Sequence, residues 1–390
     1  MTVLQRGAPP LPPGASPGRP RVTELRLSAF ARHRGATVPL GPFTALTGPS
    51  GGGKSSVLRA LDALARLGGG AHLAEVFPDP RACVPERARP DAQRRRGFRI
   101  GCTVEGPAGP VRLDLAVQAE PELRVVGERL TGPGVVYLET ALRDPGRRDV
   151  QAAWHTAGSV PVTRGPLPDD LLGTALLPLR VSGRTEGQLQ VLAAAEQVVV
   201  GLRSAFACDP DPARMRAPAP SRADRLLGGC DNLAAVLRRT RSECGNRHAL
   251  LVAAARAGLA GPVLDVFAEP AGRDGTVRAF IDRGDGLRTP VERLADGELR
   301  YLALALVLLT GPQVLEVDAA AEVPEAYQTL TVAADGFDRG LDPVQSTELT
   351  ALAARMCARG HIRLVAAMGQ GASAQREARA HGATVVDLEP

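Results

Sequence analysis

Several residue types are scarce in this chain, and their scarcity excludes some classes of protein. Aromatic residues make up only 3% of the 390 residues, which argues against a platform on which the bases of a single strand stack. The longest strongly apolar run, Tyr301 to Thr310, is much shorter than the roughly 20 residues that span a bilayer. We therefore expect no membrane segment.

Cysteine and histidine are few and widely spaced. The six cysteines form no C-x-x-C pair, which argues against both a zinc site and a disulfide framework. The six histidines are scattered as well, so neither a metal cluster nor a nucleophilic triad is predicted. Residues 1–20 contain six prolines and three glycines but no apolar segment behind an early charge. They predict a disordered tail on a cytoplasmic protein rather than a signal peptide.

Lysine is nearly absent. Of the 47 basic residues only Lys54 is a lysine, and the other 46 are arginine. Such a composition leaves lysine only where a compact ammonium on a flexible stem is needed, as in a phosphate cradle. The net charge of +5 permits contact with nucleic acid without requiring it. The arginine runs at 94–96 and 147–148 are compatible with DNA phosphates, although such runs are more often solvated faces.

The strongest motif of the chain surrounds Lys54. Residues 48–55 fit the pattern G-x-x-x-x-G-K-[ST] of a phosphate-binding loop, or P-loop. A strand is predicted before it, at Phe43 to Thr47, and a helix after it, at Lys54 to Leu67. Backbone N–H groups attract phosphate, Lys54 bridges the outer phosphates and the Ser55 hydroxyl binds Mg²⁺. The predicted contacts to ATP and Mg²⁺ are Gly48, Pro49, Ser50, Gly51, Gly52, Gly53, Lys54, Ser55 and Ser56.

Strands and helices alternate along much of the chain. This alternation predicts an α/β fold with a mixed, largely parallel sheet whose faces are covered by helices. No sustained heptad repeat is present, so long coiled-coil arms are not expected. Strands are predicted at 21–30, 43–47, 98–104, 111–117, 313–317, 330–334, 362–367 and 384–388, and helices at 54–67, 298–309, 345–359 and from near Asp231.

Residues 294–298, Leu-Ala-Asp-Gly-Glu, resemble the signature segment of ABC ATPases, which usually has a serine where Ala295 stands. The order of the motifs resembles the compact RecF, SMC and OLD-like branch of these AAA-annotated P-loop NTPases. The resemblance implies an ABC ATPase-type head in which Asp296 and Gly297, at a helix N-terminus, contact the γ-phosphate of ATP held by the opposite subunit. Taken alone, the five residues are also compatible with an ordinary helix start.

Residues 330–343 resemble the Walker B strand and the D-loop of the same family. The resemblance implies that Asp335 acts in catalysis by holding Mg²⁺ through water, and that Asp342 lies at the seam between two subunits. A second apolar stretch, ending at Asp318, is an alternative Walker B strand. No D-loop follows it.

Three positions depart from the family pattern. A glutamate that polarises the attacking water normally follows the Walker B aspartate, whereas this chain has Gly336, or Ala319 in the alternative register. Asp338 and Glu298 are candidates to replace that glutamate. A histidine normally senses the γ-phosphate after the strand at 362–367, where this chain has Met-Gly-Gln. With Ala295, these departures leave the binding groups in place and remove groups that act in hydrolysis.

The resemblance implies a head built from residues 21–120 and 262–390, with an inserted α+β lobe at 121–261. The leading hypothesis is an ATP-dependent homodimer with slow hydrolysis, in bacterial DNA maintenance or defence. A non-hydrolysing scaffold that recruits a partner protein is the alternative, and the ATPase subunit of a membrane transporter is a weaker one. DNA and a partner protein stay open as binding partners.

Overall fold

The computed structural model of the chain describes residues 18–157, 161–223, 225–272, 274–318, 323–324 and 328–388. Most of the predicted tail therefore lies outside the described residues. The strands are β1 (Arg21–Phe30), β2 (His33–Pro39), β3 (Phe43–Thr47), β4 (Arg96–Glu105), β5 (Val111–Glu120), β6 (Arg124–Gly132), β7 (Val135–Ala141), β8 (Asp149–His155), β9 (Val162–Pro168), β10 (Ala205–Cys208), β11 (Ala219–Pro220), β12 (Asp265–Pro270), β13 (Thr276–Gly284), β14 (Leu287–Pro290), β15 (Leu330–Ala334), β16 (Ile362–Ala367) and β17 (Thr384–Asp387).

The helices confirm most of the predicted helical segments. Short 3₁₀ turns lie at Arg81–Cys83 and Val291–Arg293. The α-helices are α1 (Lys54–Gly68), α2 (Leu73–Val76), α3 (Gly173–Arg180), α4 (Glu186–Arg203), α5 (Pro212–Met215), α6 (Leu233–Glu243), α7 (Gly245–Gly258), α8 (Asp296–Leu309), α9 (Pro343–Ala358) and α10 (Ser373–Ala380). Among the described residues, none of these helices combines the length and the apolar character needed to cross a membrane.

A parallel sheet carries the P-loop. Its strand order is β10-β15-β16-β3-β17, and every neighbouring pair is parallel. β3, β15 and β16 are buried along their whole length, as expected for strands covered on both faces. Alternate residues of β16 enter different cores: Leu364 and Ala366 pack with α8 and α9, whereas Val365 and Ala367 pack with α1. This arrangement confirms the predicted α/β class.

An antiparallel sheet of eight described strands lies on the α1 side, in the order β2-β1-β4-β5-β6-β7-β8-β9. The predicted hairpin is β4 and β5, joined so that Val104 pairs with Val111. α4 packs on α1 and against this sheet, and its residues share a core with α1. The two sheets therefore enclose the P-loop helix.

The range predicted as an inserted lobe, 121–261, contributes to both sheets. β6 to β9 extend the antiparallel sheet, and β10 joins the parallel one. α6 and α7 pack on a further small antiparallel sheet, β11-β13-β12 with β14 on β13. This part of the chain therefore lies in the same layers as the head, and the lobe boundaries stay a prediction.

The strand predicted at 313–317 is not present. Residues 312–314 and 316 form turns, and the only pairing described there is a single bridge between Leu226 and Leu315. Val314, Leu315 and Val317 are nevertheless buried. The apolar residues of this stretch are thus buried in and beside a turn and do not form a β-ladder.

Candidate phosphate-binding site

The P-loop connects the end of β3 to the first residue of α1, as predicted. Gly48 and Gly53 adopt positive φ values of 133° and 93°. A β-carbon on Gly48 would lie 2.4 Å from the carbonyl oxygen of Leu388, and one on Gly53 would lie 2.4 Å from His33 Nε2. Both the backbone conformation and the space therefore require glycine. The loop is thus packed closely against Leu388, which follows β17, and against His33 of β2.

The Lys54 side chain folds back over this loop. Its Nζ donates to the carbonyl oxygen of Gly48 at 2.7 Å and to that of Pro49 at 2.9 Å. The ammonium is thus held at the P-loop by two neutral carbonyl oxygens, which compete only weakly with a charged acceptor. A charged phosphate oxygen is a stronger acceptor for such a donor, so the side chain is placed to exchange these carbonyls for phosphate.

A turn between β1 and β2 covers the outside of the P-loop. The Arg32 guanidinium donates to the carbonyl oxygen of Gly51, and His33 Nε2 lies 3.0 Å from the carbonyl oxygen of Gly53. The sequence prediction missed both side chains. No motif marks them, because they precede the loop by some 20 residues, and only the β-hairpin brings them there.

A cleft of about 1690 Å³ opens beside the P-loop. The P-loop and the β1–β2 turn form one side, and the carboxyl ends of β15 and β16 form the other. Carboxyl ends of parallel strands are the usual position of ligand sites in such sheets. The lining residues that carry the argument are Lys54, Ser55, Asp335, Gly336, Asp338 and Arg339.

Asp335 and Ser55 suit a magnesium ion. Ser55 is exposed at the start of α1. Within the described residues, the Asp335 carboxylate has no hydrogen bond or ion pair, although its backbone N–H donates to Cys208. Both groups are oxygen ligands of the kind Mg²⁺ prefers, with phosphate and water completing the shell. No group of three or more metal-binding side chains is found in the described part of the chain.

The other candidate catalytic carboxylate, Asp338, already has a structural partner. Its two oxygens accept from the backbone N–H of Gly369 at 3.1 and 3.0 Å, so it anchors the loop that follows β16.

Met368, in the expected histidine region, is buried and lines the cleft. Its backbone N–H donates to the carbonyl oxygen of Leu46, two residues before the P-loop.

Gly336 stands next to a cation. It has a φ of +56°, and its peptide oxygen accepts from the N–H of Arg339 at 3.0 Å. This turn brings the Arg339 guanidinium back over Gly336. Arg339 also donates to both oxygens of Asp209, at 3.2 and 3.3 Å. Sequence reasoning missed this pair because the two residues are 130 positions apart.

The signature segment lies at the N-terminus of α8, outside the lining of this cleft. Arg216 donates to Asp296 at 2.7 Å. Gly297 is pressed against the D-loop, since a β-carbon there would lie 2.2 Å from the carbonyl oxygen of Gly340. Glu298 accepts from the Ala295 N–H at 3.0 Å. Ala295, the N-cap residue, makes no side-chain cap, which leaves part of the first turn without an acceptor.

Asp342 caps the helix that follows the D-loop. Its Oδ1 accepts from the N–H of Gln345 at 2.8 Å, and Gln345 Oε1 accepts from the N–H of Asp342 at 3.1 Å. The amide of Gln345 also donates to Gly258, at 2.9 Å. This capping box fixes the start of α9. The close approach of Gly297 to Gly340 holds the signature segment and the D-loop in direct contact.

Asp318, the alternative Walker B residue, lies elsewhere. Arg203 donates to its side chain at 3.1 Å, and a β-carbon on Gly69 would lie 2.5 Å from its Oδ2. Gly69 follows the last residue of α1, a helix of 15 residues, so Asp318 is about 20 Å from the P-loop end of that helix. The geometry favours Asp335.

The solved structures most similar to the chain in this comparison include SMC head domains. An SMC head bound to the C-winged helix domain of ScpA matches with a TM-score of 0.51 at 12% identity, over 92% of each chain. The SMC head domain from Thermotoga maritima gives 0.43 at 11% identity. An Smc head with an extended coiled coil, bound to the C-terminal domain of ScpA derived from Pyrococcus furiosus, gives 0.48 at 10% identity. Both also cover 92% of each chain.

No protein-family model matches the chain, and no curated protein matches it. The structural similarity at 12% identity concerns the fold alone. It agrees with the parallel sheet, the P-loop at the start of α1 and the antiparallel sheet beside it. The chain therefore has the fold of an SMC head domain.

Proposed function

We propose that the chain binds ATP with Mg²⁺ in the cleft beside the P-loop. The observation that carries this proposal is the position of Lys54, whose ammonium donates to the carbonyl oxygens of Gly48 and Pro49 at the start of α1. Asp335 and Ser55 line the same cleft. The loop supplies N–H groups for the phosphates, and the two oxygen ligands supply the metal site.

We further propose that ATP joins two copies of the chain head to tail. Asp296 and Gly297 do not line the cleft of their own chain, and the N-terminus of α8 packs on Gly340 of the D-loop. A helix N-terminus attracts anions. The γ-phosphate presented by a second copy is the anion that this proposal assigns to it.

Hydrolysis is proposed to be slow. Gly336 offers no side chain to orient a water molecule, and Met368 is an apolar residue where the resemblance places a histidine. Phosphoryl transfer depends almost entirely on positioning and electrostatic stabilisation, so the absence of such groups at these positions lowers turnover more than binding. The setting implied by the resemblance is bacterial DNA maintenance or defence.

A non-hydrolysing scaffold is the second candidate. The absence of a water-orienting side chain at Gly336 and the apolar Met368 in the expected histidine region favour it. One similar SMC head is bound to a winged-helix domain of ScpA, and we propose by analogy that a partner protein binds this chain. The two candidates share the ATP site and differ in turnover.

Calorimetric titration with Mg-ATP tests the shared claim. Lys54→Ala removes the ammonium and should lower ATP affinity at least tenfold, about 1.4 kcal/mol. Lys54→Arg keeps the charge but has the wrong shape, so it should also bind poorly. Thermal melting of both variants checks that they are folded. Wild-type affinity in Lys54→Ala would remove the ATP-binding proposal.

Phosphate release by the wild-type protein, with and without DNA, separates the two candidates. Slow release that DNA accelerates supports the ATPase, and no release under either condition supports the scaffold.

A further inference from the structure

We infer that Arg339 binds the terminal phosphate of ATP and that Asp209 holds this arginine when no nucleotide is bound. The inference deepens the proposed function and rests on it. It assigns to the chain a side chain that distinguishes ATP from ADP.

The guanidinium lies next to the position that the terminal phosphate is expected to occupy. A β-carbon built on Gly336 would be 2.7 Å from Cζ, Nε and Nη2 of Arg339. Residue 336 directly follows Asp335, and in P-loop sites the metal bridges the β- and γ-phosphates. A side chain at 336 would therefore point toward the γ-phosphate. Arg339 fills that volume with a planar donor group suited to phosphate oxygens.

The link between Arg339 and Asp209 is weak enough for phosphate to replace. The side chains are 57% and 47% exposed, and exposed ion pairs contribute little because water screens them. A γ-phosphate carries more charge than a carboxylate and offers several acceptor oxygens in a form that arginine binds bidentately. The cleft that contains Arg339 also contains Lys54 and Ser55. Bound ATP and Asp209 thus compete for one guanidinium.

Asp209 keeps its position when Arg339 leaves. Arg300 donates to Asp209 at 3.0 Å and is only 4% exposed. Arg300 also donates to the carbonyl oxygens of Asp335 and Gly336, at 3.1 and 2.8 Å. The backbone N–H of Asp209 donates to Gly228. Asp209 is therefore a fixed acceptor, and Arg339 is the group that changes partner.

The other arginines that line the cleft are Arg32, Arg34 and Arg87. Arg34 is exposed and lies on β2. Arg32 is engaged with the Gly51 carbonyl on the P-loop side. Arg87 is exposed and belongs to the segment after the 3₁₀ turn at Arg81–Cys83. It serves as a matched control, because its removal takes the same charge from the same cleft.

The test compares Mg-ATP and Mg-ADP binding by calorimetry in the full chain. Arg339→Ala should lower ATP affinity about tenfold and change ADP affinity by less than about twofold. Arg339→Gln, which retains a polar side chain, should behave similarly. Asp209→Asn removes the competing charge and keeps a hydrogen-bond acceptor for Arg300, so ATP affinity should rise. Arg87→Ala should change the two affinities equally and by less than about threefold.

Several results would overturn the assignment. Unchanged ATP affinity in Arg339→Ala would do so, and so would an equal loss of ATP and ADP binding or an ATP-selective loss in Arg87→Ala. Thermal melting confirms that each variant is folded. A failure of the ATP-binding proposal gives a different result. In that case wild type and Lys54→Ala bind ATP equally, and substitution of Arg339 does not act through ATP bound at the P-loop.

Discussion

A β-carbon on Gly336 would stand 2.7 Å from the guanidinium of Arg339. A glutamate placed at position 336, as the resemblance implies for an active ATPase, therefore meets two obstacles. The φ of +56° is unfavourable for a residue with a side chain, by about 1–2 kcal/mol. The new carboxylate would also meet Arg339 and pair with it rather than with water.

We expect Gly336→Glu alone to change ATP turnover less than tenfold. Gly336→Glu combined with Arg339→Ala should raise it by about 10- to 100-fold, within the usual contribution of one general base. The measurement is phosphate release at saturating ATP. A large gain in turnover for Gly336→Glu alone would show that Arg339 does not pair with the new glutamate. Turnover of several per second in the unmodified protein, typical of an able enzyme, would contradict the proposal of slow hydrolysis.

Dimerisation is expected to require the γ-phosphate. Analytical ultracentrifugation should show monomer without nucleotide and with Mg-ADP, and dimer with Mg-ATP, because the N-terminus of α8 has its phosphate ligand only in the last case. Lys54→Ala should remain monomeric with ATP. The same assembly in all three states would rule out ATP as the link.

Ala295→Ser should stabilise the start of α8. Ala295 has N-cap backbone angles, φ −64° and ψ 155°, but no capping side chain. A serine hydroxyl can accept from the N–H of Glu298 and complete the capping box, a gain of about 1 kcal/mol in the free energy of unfolding. Denaturant titration measures this gain. Ala372→Ser is a matched control for N-cap effects elsewhere, since Ala372 also caps a helix, α10, without a side-chain bond.

The serine at 295 should also strengthen the ATP-bound dimer, since its hydroxyl can donate to the γ-phosphate across the subunit seam. Ala372→Ser should leave dimerisation unchanged. An equal effect of the two substitutions on dimerisation would remove the special role of the signature segment.

Glu128→Ala should destabilise the antiparallel sheet and α3. The buried Glu128 carboxylate accepts from the N–H groups of Gly173 and Thr174, at 2.6 Å each, and from the Thr174 hydroxyl. Removing it leaves these donors buried without an acceptor, at about 1–3 kcal/mol each. We expect a loss of about 3 kcal/mol or more, measured by urea unfolding. Glu139→Ala is the control: its side chain is 61% exposed, so its effect should stay within about 0.5 kcal/mol.

Local patterns predicted the parts of the site that depend on local structure. β3, β15 and β16 were predictable because strands buried on both faces leave short, mostly apolar runs. The P-loop was predictable because its backbone requires glycine at particular positions. The stretch at 313–317 is also mostly apolar, yet its buried residues Val314, Leu315 and Val317 lie in and beside a turn. Apolar character alone does not distinguish a strand from a buried turn.

The side chains that surround the P-loop were not predictable. Arg32 and His33 reach it because β1 and β2 form a hairpin, and Asp209 reaches Arg339 because β10 pairs with β15. Such contacts depend on which strands become neighbours. A single sequence contains no local signal for that choice. Asp296 was correctly placed at a helix start. Asp342 caps a helix that begins at Pro343, two residues before its predicted start at 345. Whether the two residues also act across a subunit seam stays a prediction.

The strand that enters the P-loop has late partners in the chain. Thr47 donates to the carbonyl oxygen of Val386, 339 residues further on, and among the described strands β3 pairs with β16 and β17 alone. A ribosome therefore releases the phosphate loop long before it makes the strands that hold it. Contacts over such a separation form slowly, because the intervening chain must be ordered first. During synthesis the proposed nucleotide site is therefore among the last parts to form, and under that proposal free nucleotide stabilises the fold only once β17 has joined the sheet.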